Sequence, residues 1–286
     1  MLPYYGDVDQ MKESVRSVLA QTSPRWRLVV IDDGYPDPEP TRWFGAMEDD
    51  RVVYLRNETN LGANGNYRKA VGLVESDWFV MMGADDIMLP GYLEAVEAAI
   101  ARSDIDIVQP GVEVIDENGA LVLPLADRVK RWLSMSPEAG GSVLGGEDLV
   151  ASLLRANWAY FPSLVWRTER VRSIGFREGL DVVQDLALIL DILAAGGKMA
   201  VLPEVVFRYR RHSGSDSSVR ALDGRRFDEE RRFFLGEADR FDQLGWKRAA
   251  RAGRWHITSR LNAASLMPKA VTHGGSAKAL ARHIFA

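Results

Sequence analysis

The stretch 78-WFVMMGADDIMLPGYL-93 runs from an apolar segment into two adjacent carboxylates. Trp78 to Met82 has the length and composition of a buried β-strand, and it is followed by Gly83, Ala84, Asp85 and Asp86. Neighbouring carboxylates repel each other unless water, hydrogen bonds or a cation compensates. Two interpretations fit this stretch: a solvated turn that caps the next helix, or a site for a metal ion and a nucleotide.

The composition is that of a globular protein with 286 residues, 47% of them hydrophobic and 27% charged. The chain has no Cys, which excludes disulfides, thiolate metal sites and a cysteine nucleophile, and which fits a reducing compartment. No apolar run reaches the roughly 18 residues that span a bilayer, and the N-terminus shows no signal-peptide pattern. We therefore expect a cytoplasmic location. No nucleic-acid partner is predicted.

Charge is unevenly distributed along the chain. The segment 220–286 contains 14 Lys and Arg against 7 Asp and Glu, a balance of +7, whereas the remainder carries −11. A basic tail on an acidic body can meet phosphates or make a peripheral contact with the inner face of an anionic membrane. The alternative is that these charges only solvate the outer faces of helices.

Strands alternate with helices along the first 116 residues. Apolar runs predict strands over 27–31, 52–55, 78–82 and 105–108, and helical spacing predicts helices over 9–21, 41–48, 66–74 and 91–102. This alternation predicts an α/β fold with a mostly parallel sheet flanked by helices. Because ligands bind beyond the carboxyl ends of such strands, Asp32-Asp33, Asn60-Leu61-Gly62 and Asp85-Asp86 should meet at one edge.

The two remaining parts of the chain give weaker signals. Residues 124–146 contain Pro, Gly and Ser and are predicted to form a long loop. Further elements are predicted as helices over 149–156, 182–195, 225–244 and 248–266, and as extended segments over 163–167 and 201–209. Met1 to Tyr5 begins where a first strand should end, so we expect the central strand to be almost missing and the N-terminus to be shortened.

Four carboxylates in the strand-end loops suit donor binding. Mg²⁺ or Mn²⁺ prefers oxygen ligands and is commonly held by one or two carboxylates plus substrate phosphates. One carboxylate of the Asp85-Asp86 pair can therefore bind a metal ion while the other contacts a ribose. Asp32 and Asp33 can accept hydrogen bonds from a base or from ribose hydroxyls, or they can simply cap their loop.

Asp185 and His212 are the candidates in the second half of the chain. Asp185 stands near the start of a strongly apolar helix, either as a cap that interacts with the helix dipole or as a general base for an attacking hydroxyl. His212 follows an Arg-rich stretch that includes Arg210; an imidazole can complete a metal shell and arginines suit a diphosphate, whereas a structural or solvated His is the alternative. Four aromatic residues are either core or a sugar-stacking platform: Trp158, Tyr160, Phe161 and Trp166.

Taken in order, these segments resemble family 2 of the inverting GT-A glycosyltransferases. The similar segments are 3–22, 28–38, 60–71, 80–93, 164–197 and 209–218, which together span about three quarters of the chain. The resemblance implies a GT-A (Rossmann-like) fold with a C-terminal helical extension, a nucleoside-diphosphate sugar donor (first of all a UDP-sugar), a divalent cation, and inversion at the anomeric carbon. It also implies a saccharide or lipid-linked acceptor, in cell-surface polysaccharide or glycolipid synthesis.

The resemblance also assigns roles by position. Pro3 and Tyr5 would line the nucleotide pocket, Asp33 with Asp32 would recognise the base, and Asn60 and Asn64 would contact the nucleotide or the sugar. Asp85 would bind the ribose or a metal-bound water, and Asp86 would bind the metal with His212. Asp185 would be the catalytic base. Residues 1–219 would form the transferase domain, with a nucleotide half over 1–116 and an acceptor half over 117–219, and 220–286 a basic helical extension. Departures from the family pattern are Gly6 for a frequent Asn, Gly83 for a frequent Asp and Gln184 for a frequent Glu.

Two other classes of protein compete with this interpretation. A metal-dependent nucleotidyltransferase would also use an α/β sheet and carboxylates, but it would be expected to have a Gly-rich phosphate loop after the first strand, which 3-PYYGD-7 does not resemble. A non-catalytic sugar-nucleotide-binding protein would bind the donor without turnover. The products separate the first of these, since nucleotidyl transfer releases pyrophosphate and glycosyl transfer releases nucleoside diphosphate.

Overall fold

The first part of the central layer is a three-stranded parallel sheet. The computed structural model describes residues 1–211, 225–272 and 277–285. Its first sheet has the order β1-β2-β3, formed by Leu2–Tyr4, Leu28–Asp32 and Val52–Arg56. Every residue of β2 is buried, as expected for an apolar, β-branched run in mid-sheet. This strand delivers Asp32 and Asp33 to the carboxyl edge of the sheet.

The second part of the layer is a mixed sheet with the order β4-β9-β6-β10-β5. These strands are Trp78–Val80, Val165–Arg167, Ile107–Ile115, Lys198–Arg210 and Ile87–Met88. Strands β6 and β10 are parallel and the other neighbours are antiparallel. Two short strands, Leu121–Val122 (β7) and Ser142–Gly145 (β8), pair with β6 and β10.

Residues 1–4 supply the central strand that was expected to be almost missing. On one side, Leu2–Tyr4 pairs in parallel register with Val30–Asp32. On the other side, the amino group of Met1 donates to Val80 O at 2.9 Å and Met82 N donates to Met1 O at 3.0 Å. The central strand is therefore present, because three residues still pair with β2 and reach the segment that follows β4, whereas the expected shortening of the N-terminus stays a prediction.

Helices cover the layer. Eight lie within residues 1–211: α1 Val8–Leu19, α2 Glu39–Gly45, α3 Gly62–Gly72, α4 Tyr92–Arg102, α5 Leu125–Leu133, α6 Gly146–Ala156, α7 Thr168–Ile174 and α8 Gln184–Ala194. Four lie in the described part of 225–285: α9 Arg225–Gln243, α10 Lys247–Trp255, α11 Ile257–Thr272 and α12 Ala277–Ile284. Within the described residues, none of these helices combines the length and the apolarity that crossing a bilayer requires.

The segment 124–146 is not the loop that its composition predicts, because it contains α5 and β8. The N–H groups of Asp127 and Arg128 both donate to Pro124 O at 3.0 Å, so the helix starts directly after the proline. Leu133 and Met135 pack against the main core. The amphipathic pattern of residues 125–133 thus forms a helix, although the Pro, Gly and Ser residues of the segment favoured a loop.

The C-terminal helices share the main hydrophobic core. Helix α8 is buried on nearly every side and packs in one cluster with α6. Phe233, Phe234 and Phe241 of α9 enter the same cluster, so the helix predicted over 225–244 is anchored by its aromatic face. The single helix predicted over 248–266 is wrong, because the chain turns at His256, which has φ 25° and stacks on Phe234.

Candidate active site

The loops that follow β2 and β3 meet at the carboxyl edge, as predicted. Asp33 Oδ1 accepts hydrogen bonds from Asn57 Nδ2 at 2.7 Å and from Leu61 N at 2.8 Å. Asn66 of α3 extends the network, since its Oδ1 accepts from Asn57 Nδ2 at 3.2 Å and its Nδ2 donates to Ile31 O at 2.9 Å. Asp33 therefore fixes the 57–61 loop against the end of β2.

Asp32 is fully buried and is bonded by three donors. Its Oδ1 accepts from Tyr35 N at 2.7 Å, and its Oδ2 accepts from Tyr54 OH at 2.5 Å and from Arg56 Nη1 at 3.1 Å. These bonds favour the loop-holding alternative for Asp32. In Asp33, by contrast, both hydrogen bonds go to Oδ1. No residue in the described part of the chain donates to Asp33 Oδ2.

Three further candidate residues border the same edge. Pro3 lies in β1 opposite Ile31. Tyr5 leaves the strand with its ring exposed and edge-on to Tyr35, the two ring centroids being 5.3 Å apart. Asn60 Oδ1 accepts from Gly62 N at 2.9 Å and so closes the turn into α3. The exposed ring of Tyr5 gives this edge a flat apolar surface of the kind that planar rings pack against.

Asp86 is a carboxylate that the protein leaves incompletely bonded. Its Oδ1 accepts from Arg210 N at 2.8 Å, whereas its Oδ2 is buried with no hydrogen-bond donor among residues 1–211 and the other described segments. Burial raises the pKa of Asp86 well above its usual value, and the charge of Asp85 raises this pKa further. Gly83 leaves space for the pair, because a Cβ at that position would collide with Asp86 Oδ2.

Arg210 holds the turn at 83–86 through its main-chain N–H and its side chain. Its side chain is buried; Nε donates to Asp85 O at 2.7 Å, Nη1 donates to Asp116 O and Glu117 O at 3.2 and 3.1 Å, and Nη2 pairs with Glu13 at 2.5 Å. A guanidinium engaged in this way does not face a diphosphate. The geometry therefore does not fit a donor contact by Arg210 and makes it a support for the aspartates.

Asp185 and the Asp85-Asp86 pair are linked through Tyr67 of α3, because, in addition to burial, the charges of all three carboxylates raise the pKa of its phenol. Asp185 stands in the first turn of α8, where its Oδ1 accepts from Leu186 N at 2.7 Å. Burial raises the pKa of Asp185, and the nearby charges of Lys130 and Arg226 act in the opposite direction.

Helix α5 contributes two site residues that the sequence-based interpretation missed. Asp127 is buried, and its Oδ1 accepts from Tyr160 OH at 2.9 Å and from Arg211 Nη2 at 2.8 Å. Lys130 Nζ lies 5.1 Å from the ring centroid of Tyr160. Burial lowers the pKa of Lys130 to about 8, Arg211 lowers it too, and Asp127 and Asp185 oppose the decrease. Lys130 is thus a cation placed beside Asp185.

A carboxylate from α9 fixes the segment that leads into α8. Glu229 is buried, and its Oε1 accepts from the three main-chain N–H groups of residues 181–183 at 2.7–3.0 Å. On another side of this segment, Asn64 Nδ2 donates to Leu180 O at 2.9 Å and to the Asp181 carboxylate at 2.7 Å. Glu229 and Asn64 together therefore set the start of the helix that carries Asp185.

The four aromatic candidates divide between core and site. Trp158 and Trp166 are buried members of the main core. Phe161 packs against Trp166 and Tyr67, with centroid distances of 5.8 and 5.6 Å. Only Tyr160, bonded to Asp127, is tied to the polar site. A sugar-stacking role for the two tryptophans does not fit their burial.

The metal ligands predicted from sequence are only partly described. His212 lies outside the described residues, so its role stays a prediction. In the described ranges, no three His, Cys, Asp or Glu side chains group together as a metal site. A cation held by Asp86 would therefore need substrate or water oxygens to complete its shell, as Mg²⁺ commonly does.

A separate cavity of about 770 Å³ lies at the amino ends of β2 and β4. Trp26, Leu73, Trp78 and Phe79 are among the residues that line this cavity, and none of the candidate site residues that the structure describes lines it. Since ligands of parallel sheets bind beyond the carboxyl ends of the strands, this cavity is not the candidate active site.

Comparisons of sequence agree with this arrangement. The family model described as Glycosyl transferase family 2 matches residues 1–143. The succinoglycan biosynthesis protein ExoO of Rhizobium meliloti (strain 1021) is 29% identical over 224 residues, which is 77% of this chain and 62% of ExoO. The Escherichia coli UDP-Glc:alpha-D-GlcNAc-diphosphoundecaprenol beta-1,3-glucosyltransferase WfgD is 29% identical over 129 residues, 43% of this chain and 50% of WfgD. The chain thus spans about half to two thirds of these relatives.

Comparison of structures gives the same fold. The crystal structure of S. aureus TarS 1–349 in complex with UDP-GlcNAc superposes with a TM-score of 0.62 at 17% identity, covering 82% of this chain and 64% of TarS. The structure of TarS 1–349 without a named ligand gives a TM-score of 0.64 at 17% identity and covers 93% of this chain and 73% of that one. The predicted GT-A fold is confirmed.

Proposed function

Because the chain belongs to glycosyl transferase family 2, we propose that it transfers a sugar from a UDP-sugar to an acceptor hydroxyl with inversion at the anomeric carbon. One observation carries the proposal. Asn64 of α3 bonds the 180–181 segment that leads to Asp185, and Asn66 of the same helix bonds the end of β2, so these contacts bring Asp185 to the strand edge that carries Asp33. A donor-binding carboxylate pair with a separate base close by is what a single displacement requires.

The donor would lie along the carboxyl edge. Asp33 Oδ2 is the acceptor for a base N–H, Tyr5 and Pro3 flank the base, and Asp85 accepts from the ribose hydroxyls. Asn60 borders the same path. The UDP and UDP-GlcNAc complexes of TarS, which has the same fold, support a uridine nucleotide as the donor.

A divalent cation, Mg²⁺ or Mn²⁺, fits the residues at Asp86. The Asp86 Oδ2 atom is buried without a described donor, and a buried ionised oxygen is unfavourable unless a donor or a cation compensates. Asp86 would hold the ion, with His212 as a further proposed ligand and Asp85 beside it. When bound, such a cation stabilises the negative charge of the departing diphosphate.

Asp185 would act as the general base. The acceptor oxygen forms a bond to the anomeric carbon, the bond between that carbon and the diphosphate oxygen breaks, and the acceptor proton passes to the Asp185 carboxylate. Lys130 and Arg226 favour the ionised form of this carboxylate, which burial disfavours. The elevated pKa that results suits a group that takes up a proton during turnover.

The names of the relatives support a class of acceptor. ExoO is named for succinoglycan biosynthesis and WfgD for a diphosphoundecaprenol acceptor, which supports a saccharide or lipid-linked acceptor here. The proposal includes a cytoplasmic location with peripheral contact with a membrane. We assign donor binding to residues 1–116, acceptor binding to 117–219 and a supporting role to 220–286. The bonds from Glu229 to residues 181–183 support this last assignment.

The test is product analysis with a panel of UDP-sugars and short saccharide or lipid-linked acceptors. We expect release of UDP and a β- or α-linked product of opposite anomeric configuration to the donor. Asp185→Asn should lower kcat about 100-fold to 10,000-fold with little change in donor affinity. Asp104→Asn, which changes a carboxylate that is 88% exposed beside β6, is the matched control and should be unaffected.

Two results would contradict the proposal. Release of pyrophosphate would assign the chain to the nucleotidyltransferases. Donor binding without turnover, across the acceptors and in the presence of Mg²⁺ or Mn²⁺, would leave a sugar-nucleotide-binding protein. If Asp185→Asn turns over as fast as the wild type, Asp185 is not the base.

A further inference from the structure

Two segments of the protein expose large apolar side chains. Seven of the thirteen exposed large apolar residues in the described chain fall within 121–132 and 255–261: Leu121, Leu123, Leu125, Trp132, Trp255, Ile257 and Leu261. Trp132 is 82% exposed, Leu125 73% and Trp255 64%. Isolated exposed apolar residues are ordinary, but a concentration of this kind marks an interaction surface.

A groove lies between the residues that directly follow the first segment and the start of the second segment. This groove has a volume of about 830 Å³ and lies between the end of α5, the outer side of α6, and α10. Leu133 and Met135 line it from the α5 side, and Trp255 and Ile257 line it from the other. We call α5 and this groove the α5–α10 face.

The polar side chains of the α5–α10 face are mainly basic. Arg128 and Arg131 are exposed on α5. Arg155, Arg248 and Arg251 line the groove, where the one acidic lining residue is Asp148, which is paired with Arg248. The face therefore has a net positive charge around its apolar residues, and its complement is an anionic surface that also has an apolar layer.

We propose that the α5–α10 face docks on an anionic membrane surface. The arginines would meet lipid phosphates, while Leu125, Trp132 and Trp255 would enter the headgroup region. Trp and Leu beside Arg on an amphipathic helix is the pattern of helices that lie in the membrane interface. The sequence-based prediction placed the membrane contact on the basic tail alone, whereas the structure adds α5 to it.

Docking through α5 would also place the active site at the membrane. The inward side of the same helix carries Asp127 and Lys130, which lie beside Tyr160 and Asp185. A lipid-linked acceptor would then reach Asp185 without leaving the bilayer. This last point rests on the proposed function, whereas the docking itself does not.

Vesicle co-sedimentation of the full chain tests the proposal. We compare phosphatidylcholine vesicles with vesicles that contain phosphatidylcholine and phosphatidylglycerol, and we expect sedimentation with the second kind only. Trp132→Ser, and separately Arg128→Gln with Arg131→Gln, should each weaken partitioning roughly tenfold or more. The matched controls are Val205→Ser in β10 and Arg25→Gln in the loop between α1 and β2, which change exposed residues outside the α5–α10 face and should partition like the wild type.

Several outcomes would overturn the proposal. These are no sedimentation with either vesicle, sedimentation that does not depend on phosphatidylglycerol, or equal losses in the controls and in Trp132→Ser. Self-association in light scattering that Trp132→Ser abolishes, without vesicle binding, would assign the face to a second copy of the chain. Turnover on a water-soluble acceptor should be the same in Trp132→Ser as in the wild type. If the wild type shows no turnover on such an acceptor, that result would count against the proposed function and not against docking.

Discussion

Two pairs of adjacent aspartates end strands of the same layer, and the protein treats them differently. Asp32 and Asp33 together accept five hydrogen bonds from side chains and main-chain N–H groups. Asp86 keeps one buried oxygen without a described donor, and the charge of Asp85 contributes to raising its pKa. Asp32 therefore has both of its carboxylate oxygens bonded by the protein, whereas Asp86 has one buried oxygen that a ligand would have to compensate.

The sharpest test of this comparison is stability without any ligand. Asp32→Ala should lower the free energy of unfolding by about 1–3 kcal/mol, because Tyr35 N, Tyr54 OH and Arg56 lose a buried acceptor. Asp86→Asn should leave this free energy within roughly 1 kcal/mol of the wild type or raise it, because it removes an uncompensated buried charge. Urea unfolding at pH 7 without divalent cations measures both. Equal destabilisation by the two variants would remove the distinction.

A smaller effect is expected at Glu229, which connects the extension to the catalytic helix. Glu229→Gln should weaken the bonds to residues 181–183, with a loss of about 1 kcal/mol in stability. It should also lower kcat several-fold at unchanged donor KM. Glu237→Gln is the matched control on α9, since Glu237 pairs with Arg177 and Arg240 instead. Similar losses of kcat in both variants would make the effect of Glu229 one of general stability.

The smallest effect is a shift in pH dependence at Lys130. Asp185 must be ionised to accept a proton, and Lys130 lowers its pKa against the effect of burial. Lys130→Met removes that charge, so the pKa of Asp185 rises and the acidic limb of the kcat/KM profile moves to higher pH. Activity should fall more at pH 6 than at pH 8, and the difference should shrink above pH 8, because the pKa of Lys130 is itself about 8. Lys130→Arg should restore the profile; an unshifted limb in Lys130→Met would contradict the assignment.

The sequence predicts those features that depend on local pattern. The apolar runs before Asp32 and Asp85 identify strands, and the rule for parallel sheets places the following loops at one edge. The first strand was misjudged because three residues seemed too few, yet Met1 extends its pairing toward Val80 and Met82. Helix α5 was missed because Pro, Gly and Ser outweighed the four-residue spacing of Leu125, Val129 and Leu133.

Contacts between distant parts of the chain could not be predicted in this way. Arg210 is engaged by Glu13, 197 residues away, and no local pattern shows that its guanidinium is buried. The bonds of Glu229 to the segment before α8 are also long-range, with a separation of 46 to 48 residues along the chain. Positions at strand ends, such as those of Asp33 and Asp86, are therefore easier to predict than contacts set by long-range packing.

The central proposal is that a cation and the donor's diphosphate complete the bonding of Asp86, whereas the protein itself completes that of Asp32. Calorimetric titration of UDP, with and without Mn²⁺, tests it most directly. We predict binding that strengthens at least tenfold with Mn²⁺ in the wild type, and no strengthening in Asp86→Asn when unfolding curves show that this variant is folded. UDP binding that is equally tight without Mn²⁺, or a Mn²⁺ effect that Asp86→Asn retains, would contradict the account.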